Sequence, residues 1–381
     1  MNQKSNVVSL FVLSVLFGGS LIAQAASQEA HRTVPIIYCT DLFHPAADPD
    51  DHFDLAAFFA LDEFDVKAVI LDGHIDRPGQ SQFSGGGRVP LAQMMKIAGY
   101  EVPSAVGLDL RLTNVYDKAE NYDPRYLAGV ELMAKVLRES PVPVTIKIST
   151  GTDLVVLYNR YPELCKAKIK AVYFNAGHGR SGPSAEYNVV MDPVAYRRVF
   201  ELGLPLYWAP CFGEGYEVGN GRCNLFWVPN QRAFLEKASP RLNRFISYAL
   251  LRPDADPIAW LENGAAAEVP AKPRPMWSPP SLAHAAGRRL YQLGKDDFAW
   301  LRPEVAAEKG LKEYVAYEYQ PVRVKVPAEG AKQGVLEVTD DAEHPTARIF
   351  TQKKKYPEYV AIMTSALRNL YGTFDTDSKA K

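Results

Sequence analysis

Five aspartates, Asp41, Asp48, Asp50, Asp51 and Asp54, crowd into the stretch CTDLFHPAADPDDHFDLAAFFAL, residues 39–61. Like charges this close raise one another's pKa unless a cation or a substrate offsets them. Carboxylate oxygens are also the hard donors that calcium takes six to eight of, and a carboxylate beside a bound water can act as general base. A plainer account exists for part of the set. Asp50 and Asp51 open an apolar helical run and would favour a helix N-terminus by charge alone. Asp54, a helical turn later, fits either a supporting position or a solvated surface.

A second polar set lies well downstream. Asn175 ends an apolar run, and Glu186 and Asn188 stand in the segment AEYNVVMDP, residues 185–193. Their carboxylate and amide groups suit sugar hydroxyls, or alternatively hydrogen bonds within a loop. Asp192 precedes Pro193, the arrangement of a helix cap followed by proline at the first helical position. His44, His52, His74 and His178 lie near these loops, and His74 follows a strand end directly. Trp277 and Tyr216 are candidates to stack on a base or a sugar, with core packing as the default.

The elements that must carry these groups alternate. Val34–Tyr38, Asp65–Leu71, Val142–Ile148, Ile169–Asn175 and Leu204–Ala209 read as buried strands. Helices are expected over Leu55–Leu61, Val89–Ala98, Tyr126–Ser140, Gln231–Leu251, Leu282–Leu293 and Tyr356–Tyr371. Further strands are expected over Tyr314–Val326 and Val335–Val338. Strands alternating with helices predict an α/β fold with a mostly parallel central sheet and helices on both faces. Ligands then gather at the carboxyl ends of the strands, where the aspartate loop, Asn175 and the polar loop Arg77–Gly87 fall. No repeat or linker divides the chain, so a single domain over 33–373 with a polar tail, 374–381, is expected.

Composition is that of an ordinary globular protein, with 47% apolar and 23% charged residues. The formal net charge of -1 gives no electrostatic reason to expect a nucleic acid partner. Residues 1–25 read as a signal peptide: Lys4, an apolar run Val7–Ile22, and Ala23-Gln24-Ala25 as the cleavage signal. The expectation is an exported protein, periplasmic or secreted, with no membrane association after cleavage. Export permits disulfides. Of Cys39, Cys165, Cys211 and Cys223, the last two flank a Gly-rich segment and are the expected pair, the alternative being four buried thiols.

Two motifs together resemble the nucleoside hydrolase family of the inosine/uridine-preferring type. Asp50-Asp51 with the helix and strand that follow resembles the family's DxDPGxDD opening, and Ala185–Pro193 resembles its AEFNxxxDP. Thr150-Gly151 is similar to a shortened TGPLTN turn. The resemblance implies a Rossmann-like single domain and a metal-dependent hydrolase. Such an enzyme cleaves the N-glycosidic bond of ribonucleosides or related ribosyl compounds with a calcium-bound water. On this resemblance Asp51, the Thr150 carbonyl and either Asp41 or Asp48 hold Ca2+. Asp41 and Asp50 are the catalytic carboxylates, and Asp50, His74, Asn175, Glu186 and Asn188 bind the substrate. A small-molecule nucleoside is the implied partner, and a homo-oligomer is compatible with the family. The family's late His-Asp pair corresponds to Met276–Ala283, where no Asp stands and Ser278 offers a neutral oxygen. The alternative function is a sugar- or nucleoside-binding protein with impaired catalysis, and Asp48 is a candidate replacement for the missing acid.

Overall fold

A computed structural model describes residues 33–46, 48–73, 86–180, 186–213, 221–264, 268–328 and 337–375. The signal peptide, His74, Tyr216 and most of the loop Arg77–Gly87 lie outside the described residues.

Eleven strands occur among the described residues: β1 Val34–Thr40, β2 Phe64–Leu71, β3 Ser104–Val106, β4 Val144–Ile148, β5 Ile169–Phe174, β6 Leu206–Trp208, β7 Arg289–Gly294, β8 Asp297–Leu301, β9 Tyr317–Lys325, β10 Glu337–Asp340 and β11 Ala347–Gln352. Nine form one sheet in the order β10-β9-β11-β6-β5-β4-β1-β2-β3, and β7 and β8 form a separate antiparallel hairpin. From β3 to β6 and on to β11 the pairing is parallel. Only β9 and β10 add antiparallel pairs. The expected α/β architecture is therefore observed.

The order 3-2-1-4-5-6 reverses direction between β1 and β4. At such a switch point the loops leaving the two strands diverge to opposite faces and open a crevice. β1 pairs with β4 through Ile36 and Thr145, Ile37 and Ile146, and Tyr38 and Lys147. The chain leaves β1 into Asp41 and leaves β4 into Ser149-Thr150.

Two apolar cores cover the two faces of the sheet. One joins the helices Asp50–Ala60, Arg88–Ala98, Pro240–Leu251, Pro279–Ala285 and Tyr356–Thr373. The other joins the helices Ala128–Glu139, Thr152–Arg160 and Pro193–Val199. Helix Asp50–Ala60 is buried all round from His52 to Ala60. The Tyr371 hydroxyl fixes it by donating to the Phe53 carbonyl at 2.7 Å. A helix packed on every side holds its first turn firmly, and that turn carries Asp50 and Asp51.

Three expectations are corrected. Leu282–Leu293 is not one helix: helix Pro279–Ala285 ends before Gly287, whose φ of 81° favours glycine, and β7 follows. The helix expected from Gln231 begins at Pro240, capped by Ser239, whose hydroxyl accepts from the Leu242 N–H at 3.0 Å. Cys211 and Cys223 are free thiols, as are Cys39 and Cys165. Nearness in sequence does not supply the Cβ geometry a disulfide requires.

Candidate functional site

Helix Asp50–Ala60 starts after Pro49 and has no side-chain cap. Asp50 and Asp51 occupy its first turn, where the free N–H groups favour negative charge. Both carboxyls are nevertheless pushed well above the usual carboxylate range. Burial is the main cause for each; Asp51 and then Asp48 add to it at Asp50, and Asp41 and then Asp54 at Asp51. Asp41 bears electrostatically on Asp50, Asp51, Asp54, Asp72 and Glu186. One charge felt at all five positions brings the aspartate loop, the end of β2 and the AEYN segment into one site.

Asp48 stands at the rim. It is half exposed, 3.3 Å from the Arg274 guanidinium, and accepts from the Asp50 N–H at 3.4 Å. Asp54 lies deep, only 3% exposed. Burial pushes its carboxyl up to about 6, and the nearby Ser278 hydroxyl and backbone N–H pull the other way. The solvated alternative for Asp54 is thus corrected: neighbouring helices close over the face on which it sits.

Thr150 lies beyond β4, and its hydroxyl donates to Asp72 Oδ2 at 3.1 Å. Glu186 caps the short helix Tyr187–Met191. One oxygen accepts from the Asn188 N–H at 3.0 Å and the other from the Gly177 N–H at 2.8 Å. Burial raises Glu186 to about 7 against these bonds. Asn188 donates from Nδ2 to the Asn175 carbonyl at 3.2 Å. Asn175 donates from Nδ2 to Ser278 Oγ at 3.1 Å. A hydrogen-bonded chain therefore runs from Glu186 through Asn188 and Asn175 to Ser278, linking residues far apart in sequence.

Four participants were not among the catalytic, binding or metal-holding residues expected from the sequence. Asp54, expected there at a supporting position or a solvated surface, and Asp72 are two of them. Asp153 is the third, 4% exposed, accepting from the Leu108 N–H at 3.2 and 3.3 Å and raised to about 7 by burial. Lys147 is the fourth. Among the described residues it is the only lysine or arginine that is fully buried, at 2% exposure. Its ammonium donates to Ser149 Oγ at 2.9 Å and sits 5.2 Å from the centre of the Tyr38 ring. Its charge opposes the upward shifts of Asp51, Asp54 and Asp72. The signal was present in VTIKI, where a charged residue interrupts an apolar strand.

The remaining sequence candidates divide. His52 is buried in the core beside Phe245, and burial lowers it to about 3. His44 stacks on Tyr248. Trp277 stacks on Phe226, and its indole donates to the Cys211 carbonyl at 2.8 Å. Asp192 is the helix cap expected, accepting from the Ala195 N–H at 2.9 Å, and it also holds Leu112 and Thr152.

The donor set fits a hard divalent cation in its chemistry. It is all oxygen and anionic, and buried acceptor oxygens of Asp54, Asn175 and Asn188 have no hydrogen-bond donor. Among the described residues no three His, Cys, Asp or Glu side chains are gathered closely enough to enclose a metal ion.

No family model matches the chain. A pyrimidine-specific ribonucleoside hydrolase of Citrobacter koseri is 31% identical over 196 residues, 46% of this chain and 59% of that protein. Its counterpart in Enterobacter sp. is 38% identical over 196 residues, with the same coverage of 46% and 59%. The chain thus spans about 60% of the length of the curated relatives it matches. A solved purine-preferring ribonucleoside hydrolase from Gardnerella vaginalis superposes with a TM-score of 0.54 at 13% identity, covering 89% of this chain and 99% of that one; this likeness is one of fold. In sequence over part of its length the chain is similar to pyrimidine-specific ribonucleoside hydrolases, and in fold over most of it to a purine-preferring one.

Proposed function

We propose that the protein is a ribonucleoside hydrolase that cleaves the N-glycosidic bond between base and ribose. The observation that supports this most is the meeting of Asp41, Asp50, Asp51 and Asp54 with Asn175, Glu186 and Asn188 at the crevice between β1 and β4. Asp51, the Thr150 carbonyl and Asp41 are the proposed calcium-holding groups, with Asp48 at the rim as the rival to Asp41. Calcium, when bound, supplies a fixed positive charge that orients a water and lowers its pKa.

The chain's own residues do the rest. Asp50 and Asp41 take the proton of the attacking water. The surrounding carboxylates favour the positive charge that develops on the sugar as the bond to the base lengthens. Asn175, Asn188 and Glu186 hold the sugar hydroxyls, with His74 as a further contact. The first 25 residues serve as a signal peptide and direct the protein out of the cytoplasm.

The second reading is a nucleoside- or sugar-binding protein with impaired catalysis. Ser278, neutral where the resemblance expects an acid, favours it. Release of base and reducing sugar from uridine, cytidine, inosine and adenosine, with calcium and with chelator, separates the two. Turnover that chelator abolishes supports the hydrolase. Ribose binding without turnover on any of the four would overturn it in favour of the binding protein.

A further inference from the structure

A second concavity lies away from the crevice between β1 and β4. It encloses about 350 Å³ where β6, the start of β7, β9 and β11 meet the end of helix Pro279–Ala285. Small-ligand sites begin near this size. The helix separates the two places. Ser278, at its start, bonds Asn175, while His284, near its end, lines the cleft, a separation of ~9 Å at the rise of an α-helix.

The wall of the cleft is aromatic, and its rings are fixed. Tyr207 stacks on Tyr173 with 4.7 Å between ring centres, and Tyr319 meets Tyr207 edge-on at 5.2 Å. The Tyr319 hydroxyl is 2.9 Å from Ser281 Oγ, and the Tyr173 hydroxyl is 2.8 Å from His284 Nδ1. The Tyr317 hydroxyl accepts from the Trp300 indole at 3.0 Å. These three phenols are thus engaged within the protein, whereas the Tyr207 hydroxyl has no partner among the described residues.

The charges around this wall do not cancel. Arg288 is engaged by Asp62 at 2.5 Å and by Glu63 at 2.8 Å, and Glu318 by Lys353 at 2.5 Å. Arg289 and Arg348 have no carboxylate partner among the described residues. Arg289 donates to the neighbouring Arg288 carbonyl at 3.2 Å. Arg348 pairs with Tyr207 across β11 and β6, and its guanidinium lies 5.8 Å from the centre of that ring. Such a stack holds a guanidinium in place without neutralising it. Glu313, exposed, is the remaining carboxylate of the lining. Burial lowers His284 to about 4, and Arg289 adds to the effect, so the imidazole is neutral at pH 7 and brings no charge of its own. Scattered surface arginines are ordinary, but these two share one concavity with fixed rings and a single unpaired acid.

We propose that this cleft binds a small phosphorylated sugar. Arg289 and Arg348 take the phosphate, whose three terminal oxygens and roughly two negative charges suit two guanidinium forks. The Tyr207 hydroxyl is a further donor. Glu313 accepts from the sugar hydroxyls, and the tyrosine rings give the sugar an apolar surface with polar edges to pack on. The cleft is separate from the crevice at β1 and β4, so its ligand binds whether or not that crevice hydrolyses nucleosides.

Titration calorimetry of the full chain in chelator, with ribose 5-phosphate, ribose and inorganic phosphate, tests this without any measurement of turnover. Wild type should bind ribose 5-phosphate at one saturable site in the cleft, about tenfold or more tightly than either half alone. Arg289→Gln and Arg348→Gln should each weaken it about 10–100-fold, the worth of a charged hydrogen bond. Arg125→Gln removes an equal charge beside helix Ala128–Glu139, on the other face of the sheet, and should leave binding unchanged. Arg348 is exposed, so its variant keeps the fold; should Arg289→Gln melt early, Arg289→Lys, which keeps the charge but not the fork, should still weaken binding by a smaller factor. Absence of ribose 5-phosphate binding overturns the proposal, as does binding that is unchanged in the arginine variants. Inorganic phosphate that binds as tightly as ribose 5-phosphate, or ribose 5-phosphate binding that Glu313→Gln leaves unchanged, overturns the sugar part.

Discussion

Replacing Asp153 by Asn should remove one buried position's contribution to the protein's response to pH. Burial holds the Asp153 carboxyl at about 7 against an ordinary value of 3.8. The folded value lies above the unfolded one, so the stability this group contributes is fully present below about pH 4. It is lost as pH rises through 7. At 1.36 kcal/mol per pKa unit, the ionised carboxylate costs the folded protein at most about 4 kcal/mol at pH 8. Asn removes that cost. It keeps one acceptor for the Leu108 N–H, which Asp153 meets with both oxygens. It also buries an amide N–H₂ in a tight place, since a Cβ added at Gly107 would lie 2.5 Å from Asp153 Oδ2. An unpaired buried donor costs about 1–3 kcal/mol. Wild type already bears about 1.6 kcal/mol of this cost at pH 5, so the variant should be more stable than wild type by about 1–3 kcal/mol at pH 8 and within about 1.5 kcal/mol of it at pH 5. Urea unfolding of the metal-free protein at both pH values, with the m-value held as a control, measures the difference. A stability change of the same sign and size at pH 5 and pH 8 would refute the reasoning.

Lys147→Met should lower metal-free stability by about 1–3 kcal/mol, because the charged hydrogen bond to Ser149 and the counter-charge to Asp51, Asp54 and Asp72 are lost together. The same variant should bind calcium more tightly in calorimetry, since a fixed ammonium no longer competes with it. Glu186→Gln retains an acceptor for one of the two N–H groups and should leave the fold intact in circular dichroism. On the proposed chemistry it should lower turnover about 10–100-fold, the worth of a charged hydrogen bond. Thiol titration of unfolded protein without reductant should find all four cysteines free. In the native protein Cys223, the least buried, should react first.

The legible and illegible parts of this chain divide by what sets them. Runs such as Ile36-Ile37-Tyr38 and Val69-Ile70-Leu71 are apolar throughout, as strands covered on both faces must be, and they announced the sheet. The aspartate loop and AEYN announced themselves because polar residues were concentrated between such runs. Lys147 did not, because Val144-Thr145-Ile146-Lys147-Ile148 alternates like a half-exposed strand. Tyr38 across the β1–β4 pair, a contact only the topology creates, helps cover it. Asp54 was hidden similarly. One charge on an apolar helix normally marks the solvent edge, but this helix has no such edge. The Leu282–Leu293 run failed because its apolar content serves two elements, a short helix and a strand, with Gly287 between them.

The electrostatics of the site favour one kind of occupant. Asp50, Asp51, Asp54 and Asp72 are all displaced toward their protonated forms, and Lys147 opposes the shift at three of them. A neutral nucleoside brings no charge to relieve that repulsion. On the proposed chemistry a cation would relieve it in the ground state, and a sugar turning positive as its bond to the base stretches would relieve it further along the reaction. Because the second gain grows only as the bond breaks, it lowers the barrier and not merely the binding energy. Lys147 tempers the same field by keeping some of the carboxylates ionised, and therefore basic, at neutral pH. Too many fixed positive charges would repel the developing sugar cation; none would leave the acids protonated and unable to accept a proton. A single buried lysine, hydrogen-bonded to Ser149 next to Thr150, keeps the site between these limits.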